Sequence, residues 1–244
     1  QKASDTYSLD DSMYDNVFHI THYPELQNLA KNYDIVHSHN EPDMLTVALI
    51  GHGVVIHDTH DPLSVRGYEE DKEMTDWNEM LANANASGRI YVSDLMMKYA
   101  KSRYNIDLNT SIVLSNYVSE DDIPKVEERY EKLSAKDGET HIVYEGGAGH
   151  SHRDYHQLFK SLADAKIHIH IYPTTYNQAY VELEKSNPQY IHYNHPISPL
   201  DLIKEMTQFD AGIVAFNITS ENKTFLDIAI CNKLYELFYL GSQR

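Results

Sequence analysis

The chain has 244 residues, with 20 Lys plus Arg against 37 Asp plus Glu and a formal net charge of −17. This acidic balance argues against sequence-independent binding to DNA or RNA, and no apolar run reaches the roughly 18 residues of a membrane-spanning helix. The single cysteine, Cys231, excludes an intramolecular disulfide. Together with a polar, acidic N-terminus that carries no secretory signal, these features predict a cytoplasmic globular protein.

Eight short runs rich in β-branched residues alternate with longer amphipathic segments. The predicted strands are Asp34–Ser38, Gly53–His57, Arg89–Ser93, Ser111–Leu114, His141–Tyr144, Ile167–Tyr172, Tyr190–His192 and Ala211–Phe216. The predicted helices include Pro42–Ile50, Asp94–Tyr104, Asp154–Ala163, Gln178–Lys185 and Pro199–Phe209. This alternation predicts an α/β protein with mainly parallel sheets.

The alternation breaks once, across the charged stretch Ser119–Glu139, where no strand is predicted. We therefore expect an N-terminal domain at residues 1–120, a linker or hinge helix at 121–137 and a C-terminal domain at 138–244. The alternative is a solvated surface helix inside one larger domain.

Histidines and carboxylates follow the first two predicted strands. His37, His39 and Glu41 come at the end of the first strand, and His60 and Asp61 follow the second. Ligands gather at the carboxyl ends of parallel strands, so these side chains are candidates for a functional site. A His-x-His pair on a strand also places both rings on one face, an arrangement that can chelate zinc.

Two other interpretations of these histidines remain open. If all eight strands closed into one barrel, His37, His39, His57 and His60 would predict a metal-dependent hydrolase of the amidohydrolase type. That enzyme needs an acid after its last strand, whereas the eighth predicted strand ends in Phe216 and Asn217. The second interpretation is hydrogen-bonded, partly buried histidines without a chemical role, which is also what we expect of His168 and His170.

A glycine-rich loop follows the fifth predicted strand. Gly146 and Gly147 open this loop, and Arg153 stands where the next helix is predicted to begin. Glycines at this position let a phosphate approach the backbone, and an arginine can bind it with two hydrogen bonds. Glycines after a strand are also ordinary turn formers. The loop lacks the G-x-x-x-x-G-K-[ST] pattern, which excludes a P-loop kinase or NTPase.

The last predicted helix begins near Asn232, a plausible cap, with Lys233 in its first turn and Glu236 one turn later. A lysine is unfavourable at a helix N-terminus unless an anion lies nearby, so Lys233 is a candidate anion-binding residue. The alternative is a capped amphipathic helix with a surface ion pair.

These segments, in their order, resemble the two-domain GT-B glycosyltransferases, particularly the family-4-like group. The resemblance runs from Asp34 to Gly241 and includes DIVHSHNEPD, VVIHDTHDP, IYVSDLMMKY, IVLSNYV, IVYEGG, IHIYP, DAGIVAF and NKLYELFYLG. It implies two Rossmann-like halves facing each other across a cleft. It also implies transfer of a sugar from a nucleotide-diphosphate sugar to an acceptor hydroxyl, with retention of configuration and without an obligatory metal or other cofactor.

The resemblance assigns roles to the candidate residues in each half. In the C-terminal, donor-binding half it places Gly146, Gly147 and Arg153 at the diphosphate, and Glu236 at the ribose with Asn232 and Lys233 in the turn before it. Residues Tyr193–Leu200, which include His195 and Ser198, match the loop that receives the nucleobase. In the N-terminal, acceptor-side half it places His60 and Asp61 near the reacting carbon, with His39 and Glu41 beside them.

The sequence departs from the family pattern in three places. Ile228 stands where the first acid of a paired-glutamate motif is common, and Ala148 and Gly149 stand where a basic residue often follows the glycine loop. The chain also begins after the family's glycine-rich first strand and stops before its closing elements, so we expect an N-terminal half without its first elements. A non-catalytic nucleotide-sugar-binding protein and a GT-B sugar epimerase remain alternatives, and a peripheral membrane contact and the oligomeric state are left open.

Overall fold

The computed structural model describes residues 14–67, 70–149 and 153–242, with the backbone alone for 239–242. The described residues form two compact units. The N-terminal unit comprises residues 14–116 and 218–230, and the C-terminal unit comprises residues 117–217 and 231–242. The chain thus contributes residues 218–230 to the N-terminal unit before it returns to the C-terminal one.

The N-terminal unit contains a four-stranded parallel sheet in the order β1-β2-β3-β4. Its strands are β1 (Ile35–His39), β2 (Val54–Thr59), β3 (Gly88–Tyr91) and β4 (Ser111–Val113). Its helices are α1 (Tyr23–Ala30), α2 (Asp43–Leu49), α3 (Lys72–Asn85), α4 (Asp94–Tyr104) and α9 (Lys223–Ile228). Helix α4 shows how the local sequence sets its bounds, since the Ser93 hydroxyl accepts from the Met96 N–H at its start and Asn105 ends it in the left-handed region.

The C-terminal unit contains a second parallel sheet, in the order β7-β6-β5-β8. Its strands are β5 (His141–Glu145), β6 (His168–Tyr172), β7 (Ile191–Tyr193) and β8 (Ala211–Gly212). Its helices are α5 (Leu133–Asp137), α6 (His156–Asp164), α7 (Gln178–Ser186), α8 (Pro199–Met206) and α10 (Asn232–Ser242). Tyr144, Phe159 and Tyr180, all fully buried, pack with the isoleucines of β6 and β7 into its core. Burial of such side chains is worth roughly 1.5–3 kcal/mol each.

The predicted fold class is confirmed, since every predicted strand segment overlaps a strand and both sheets are parallel. Among the described residues the strands form two open four-stranded sheets, so the closed barrel that the hydrolase interpretation needed is wrong. Strand β8 has two residues instead of six, because only Ala211 and Gly212 pair with β5. Helices α1, α3 and α9 lie outside the predicted segments.

The charged stretch after residue 119 contains short helical turns at Glu120–Asp122 and Val126–Glu128, followed by α5. It packs on the C-terminal unit, where the Tyr130 N–H donates to the Thr207 hydroxyl at 3.0 Å. The division at residues 120 and 138 stays a prediction. None of the helices in the described ranges combines the length and apolarity needed to cross a membrane.

Candidate functional site

A cavity of about 200 Å³ opens at the carboxyl ends of β5 and β6 in the C-terminal unit. Strand β5 pairs with β6 on one side and with β8 on the other, so the chain reverses its direction of travel across the sheet at β5. Open α/β sheets bind ligands at such a switch point. This switch-point cavity is lined by Glu145, Gly146, Tyr172, Pro173, Thr174, Pro196, Ile197, Pro199, Leu202, Ile203, Asn232, Lys233 and Glu236.

The glycine loop admits two cationic side chains at successive positions. Gly146 has a φ of +105°, and a Cβ built on it would lie 2.7 Å from Lys233 Nζ. A Cβ on Gly147 would lie 3.2 Å from Arg153 Nη1. The Gly146 N–H donates to the Tyr172 carbonyl at 2.9 Å and is therefore already used. The missing side chain of Gly146 thus leaves room for the Lys233 side chain. Lys233 and Arg153 together concentrate positive charge at the loop.

Lys233 lies at the N-terminus of α10, the end of the helix dipole that repels a cation. Its Nζ lies 4.4 Å from the centre of the Tyr144 ring and donates to the Tyr144 hydroxyl at 3.3 Å. Desolvation lowers the pKa of Lys233, and Arg153 lowers it further. An anion in the cavity would offset both costs, because it would pair with Lys233 and with the positive end of α10.

Arg153 is the second cation at the loop. Its Nε is buried and has no hydrogen-bond acceptor within the described ranges of the chain, and its guanidinium carbon lies 5.7 Å from the centre of the Phe216 ring. A buried guanidinium N–H without an acceptor is costly. Arg153 is therefore poised to gain a hydrogen bond from an incoming acceptor oxygen.

Two carboxyl groups, Glu145 and Glu236, stand on the same cavity wall. Glu145 is 5% exposed, and its Oε1 has no hydrogen-bond partner in the part of the chain that the structure describes. Burial raises the pKa of Glu145, and the neighbouring Glu236 raises it further. Both side chains carry oxygen atoms that can accept hydrogen bonds from hydroxyl groups.

His195 and Ser198 do not line the switch-point cavity. His195 lines an adjacent cavity of about 440 Å³, together with Tyr130 and Lys204. Ser198 caps α8, where its hydroxyl accepts from the Asp201 N–H at 3.2 Å. Their neighbours Pro196, Ile197 and Pro199 line the switch-point cavity instead.

In the N-terminal unit, three histidines surround one aspartate at the ends of β1 and β2. Asp58 Oδ2 lies 2.8 Å from His37 Nε2 and 3.6 Å from His39 Nδ1, and Asp58 Oδ1 lies 3.7 Å from His60 Nε2. His39 Nδ1 and His60 Nε2 are 2.9 Å apart, which requires a hydrogen between them. The Asp58 side chain is 9% exposed, whereas the three imidazoles reach solvent. We call these four residues the strand-end cluster.

Asn40 fixes the loop that carries His60 and Asp61. Its buried side chain accepts from the His60 N–H at 3.0 Å and donates to the Asp61 carbonyl at 2.5 Å. Arg66 pairs with Glu41 and lies 3.6 Å from Asp61 Oδ2. Burial raises the pKa of Asp61, and Arg66 opposes that shift.

His57, a candidate ligand in the barrel interpretation, is fully buried and lies outside the strand-end cluster. Its Nδ1 is 2.9 Å from the Thr46 hydroxyl, and its Nε2 is 3.4 Å from Asp43 Oδ1. Burial lowers the pKa of His57 to about 4 and raises that of Asp43 to about 8. Both groups are therefore neutral near pH 7 and belong to the core.

Solved structures share this architecture. The structure of Anabaena Alr3699/HepE in complex with UDP is 15% identical in sequence. The match covers 78% of this chain and 55% of the HepE chain, with a TM-score of 0.57. Sucrose-phosphate synthase from Thermosynechococcus elongatus is 12% identical, with coverages of 79% and 54% and a TM-score of 0.56. AviGT4, a glycosyltransferase of avilamycin A biosynthesis, is 9% identical, with coverages of 90% and 57% and a TM-score of 0.56.

The chain has the GT-B fold. It spans about half the length of the GT-B structures that it matches. No protein-family model matches the sequence, and no curated protein matches it significantly. At these identities the likeness concerns the GT-B architecture and leaves the roles of single residues to the geometry of the site.

The structure brings the predicted residues into two groups. Gly146, Asn232, Lys233 and Glu236 line one cavity of the GT-B C-terminal unit, and Arg153 approaches the same glycine loop at Gly147. In the N-terminal unit, His39 and His60 meet in the strand-end cluster, while Glu41 and Asp61 share Arg66. The role of each residue stays a prediction.

Three contributors were not predicted as site residues: Glu145, Asp58 and Asn40. Glu145 is the last residue of β5, and Asp58 faces the imidazoles from the second-to-last position of β2. An acid at the end of an apolar strand is the signal that could have indicated Glu145.

Proposed function

We propose that this chain belongs to a glycosyltransferase that moves a sugar from a nucleotide-diphosphate sugar to an acceptor hydroxyl. The observation that best supports this proposal is a pair of cations, Lys233 and Arg153, which approach successive glycines at the switch point of the C-terminal sheet. The similar HepE structures include complexes with UDP and with UDP-glucose, which supports a uridine nucleotide as the first donor to test.

The donor would lie along the switch-point cavity. Lys233 and Arg153 would bind the diphosphate, with the N–H groups at the start of α10 facing the same charge. Glu236, one turn further along α10, would accept hydrogen bonds from the ribose hydroxyls, and Asn232 would stand beside it. His195 and Ser198 belong to the segment at which the nucleobase would be received.

The chemistry that this site favours is departure of the diphosphate. The bond between the anomeric carbon and the diphosphate oxygen breaks, the acceptor oxygen forms the new bond, and the acceptor proton leaves on a diphosphate oxygen. Lys233, Arg153 and the α10 dipole would stabilise the charge that develops on the leaving group, so the proposed reaction needs no metal. Proton transfer to the leaving group on the same face fits retention of configuration.

The acceptor would bind the N-terminal unit. A groove of about 520 Å³ there includes His39 and Glu41 among its lining residues, and its apolar wall contains Phe18 and Leu45. This combination fits an acceptor that carries both a hydroxyl group and an apolar portion. His60 and Asp61 would act at the reacting carbon or at the acceptor hydroxyl.

Isothermal titration calorimetry with UDP, GDP and ADP, each with its glucose conjugate, tests the donor assignment. We expect one nucleotide to bind, and we expect Lys233→Met to weaken that binding. Lys185→Met is the matched control, because Lys185 is exposed and pairs with Glu182 on α7. Equal affinity of wild type and Lys233→Met for every nucleotide would reject the donor site.

Product analysis then separates the remaining alternatives. Release of free nucleotide and formation of a glycoside indicate a transferase, a changed sugar on an intact donor indicates an epimerase, and binding without turnover indicates a non-catalytic protein. The assay should also use a chain extended to the full length of the solved GT-B structures, because the present chain spans about half of their length.

A further inference from the structure

Four histidines form a ladder across three adjacent strands of the C-terminal sheet. His141 opens β5, His168 and His170 lie on β6, and His192 lies on β7. The register pairs His141 with His168 and His170 with His192. His141 and His168 are the first residues of their strands. The ladder therefore begins at the amino-terminal ends of the strands, and the switch-point cavity lies at their carboxyl ends.

Two of these imidazoles point a ring nitrogen at a carboxylate. His141 Nε2 lies 2.9 Å from Asp137 Oδ2, and His168 Nε2 lies 2.6 Å from Glu139 Oε2. The His141 and His168 rings are stacked 4.3 Å apart with an interplanar angle of 13°. The ligand atoms of Asp137, His141 and His168 all lie within 4.8 Å of one another. Two imidazole nitrogens and one carboxylate oxygen therefore lie close enough together to approach one ion, and Glu139 Oε2 contacts one of these imidazoles.

The other ring nitrogens are held by the inner pair of histidines. His141 Nδ1 lies 2.9 Å from His170 Nε2, and His168 Nδ1 lies 2.9 Å from His192 Nε2. In one tautomer the two inner imidazoles accept hydrogen bonds from the Nδ1–H groups of His141 and His168. That tautomer frees both outer Nε2 atoms for a cation, which would take the place of the proton that now lies between each Nε2 and its carboxylate.

The turn between α5 and β5 orients the carboxylates. Gly138 adopts a φ of +80° between Asp137 and Glu139, which places the two acids on either side of a tight turn. The Glu139 N–H donates to Asp137 Oδ1 at 2.9 Å, so Oδ2 of Asp137 is the oxygen that faces His141. The acids are thus positioned by backbone geometry.

We propose that Asp137, Glu139, His141 and His168 form a binding site for a divalent transition metal, with Zn²⁺ as the best-fitting ion. Zinc takes four imidazole or carboxylate ligands at about 2.0–2.2 Å in a tetrahedron, which holds ligand atoms roughly 3.3–3.6 Å apart. The pairs His141–Asp137 and His168–Glu139 need to open by well under 1 Å to reach that spacing, and the ligand atoms of Asp137, His141 and His168 need to close from at most 4.8 Å. The two carboxylates balance the charge of the ion, and the hydrogen-bonded Nδ1 atoms provide the outer contacts that metal-ligating histidines use.

The bound ion would fasten α5 and its turn to the first residues of β5 and β6. Its role would be structural, because four protein ligands leave no open position for a substrate. The site stands apart from the proposed donor chemistry, and its existence does not depend on the proposed function.

Cobalt titration of the metal-free chain tests the site, because the visible absorption of Co²⁺ distinguishes four-coordinate from six-coordinate ions. We expect a four-coordinate spectrum that one equivalent of Zn²⁺ abolishes, and a melting temperature that rises with Zn²⁺. The double variant Asp137→Asn with Glu139→Gln should lose this equivalent. Both side chains are about 40% exposed, and the amides preserve shape and hydrogen-bond acceptors, so the fold should survive.

The strand-end cluster provides the matched control. The variant His37→Gln with His39→Gln removes two imidazoles from the only other group in the described residues with three metal-ligating side chains in range, and it should keep the equivalent that the first variant loses. His192→Leu, which removes an outer contact, should weaken metal affinity by about 10- to 100-fold. Equal metal stoichiometry and affinity in wild type and the Asp137/Glu139 variant, zero binding included, would overturn the proposal. The nucleotide affinity of the Asp137/Glu139 variant should equal that of wild type, because the proposed metal site lies apart from the donor cavity.

Discussion

The ammonium nitrogen of Lys233 lies 4.4 Å from the centre of the Tyr144 ring, at the N-terminus of α10 and beside Gly146. This position desolvates the cation and places it where the helix dipole repels it, while attraction to the face of the aromatic ring offsets part of that cost. A cation kept in such a place is explained most simply by an anion that binds there.

Replacing Lys233 by methionine should weaken binding of the preferred nucleoside diphosphate by about 1.5–3 kcal/mol, the usual range for a charged hydrogen bond. Calorimetry measures the loss directly. Folding should not suffer, because methionine retains the apolar stem and removes a desolvated charge. The Lys185→Met control should bind as wild type does, and an affinity for nucleotide that is the same in both variants contradicts the assignment.

Arg153→Ala should reduce affinity for UDP or GDP by a similar amount, about 1.5–3 kcal/mol, because its buried Nε has no acceptor among the residues that the structure describes. A nucleoside without phosphates should bind Arg153→Ala and wild type equally, which isolates the diphosphate contact. Arg103→Ala is the control, since Arg103 pairs with Asp76 in the N-terminal unit. Undiminished diphosphate binding by folded Arg153→Ala would refute the role.

His60→Ala should leave nucleotide affinity nearly unchanged, because His60 belongs to the strand-end cluster of the other unit. Transfer should fall by about ten- to a thousandfold, a loss of roughly 1.4–4 kcal/mol in transition-state stabilisation. Steady-state kinetics with saturating donor give the ratio. His52→Ala, on the turn after α2, serves as the control, and equal turnover of the two variants would remove His60 from the catalytic set.

Asp43 should make the protein less stable as pH rises from about 4 to about 8. Its folded pKa of about 8 lies above the ordinary value of 3.8, so folding favours the protonated acid and this contribution is lost on the way up to pH 8. His57, whose pKa is lowered to about 4, acts oppositely between pH 4 and 6.5. Comparison with Asp43→Asn cancels the His57 contribution.

Urea unfolding at several pH values measures this effect. The free energy of unfolding of Asp43→Asn relative to wild type should increase with pH, by at most about 1.4 kcal/mol per pH unit. A difference that stays constant from pH 5 to 8 would show that Asp43 is ionised in the folded protein.

The architecture was predictable because short β-branched runs and turn residues repeat along the whole chain, and local patterns of this kind decide an α/β fold. The anion site was partly predictable, since the glycine loop and Lys233 at a helix start carry their own physical signal. Asp58 and Glu145 escaped prediction for a different reason. The role of Asp58 depends on imidazoles from both β1 and the loop after β2, and that of Glu145 depends on Glu236, which is distant in sequence.

The histidine ladder shows the same limit. Alternation in IHIHI indicates only that His168 and His170 share a face, and a partly buried core role was expected for both. Their partners come from β5 and β7 and from the turn after α5, so only strand register reveals them. Non-local pairing of this kind cannot be read from spacing within one segment.

Residues 218–230 belong to the N-terminal unit although they follow nearly the whole C-terminal unit in sequence. The Ser93 hydroxyl at the start of α4 donates to the Ile228 carbonyl at 3.0 Å. A hydrogen bond at the start of that helix therefore depends on a segment 135 positions further along the chain. During synthesis, the N-terminal unit therefore cannot complete its contacts until most of the C-terminal unit has left the ribosome. A cut at any single peptide bond between the two sheets leaves the N-terminal fragment without α9, and the two halves are covalently interleaved even though each has its own sheet and core.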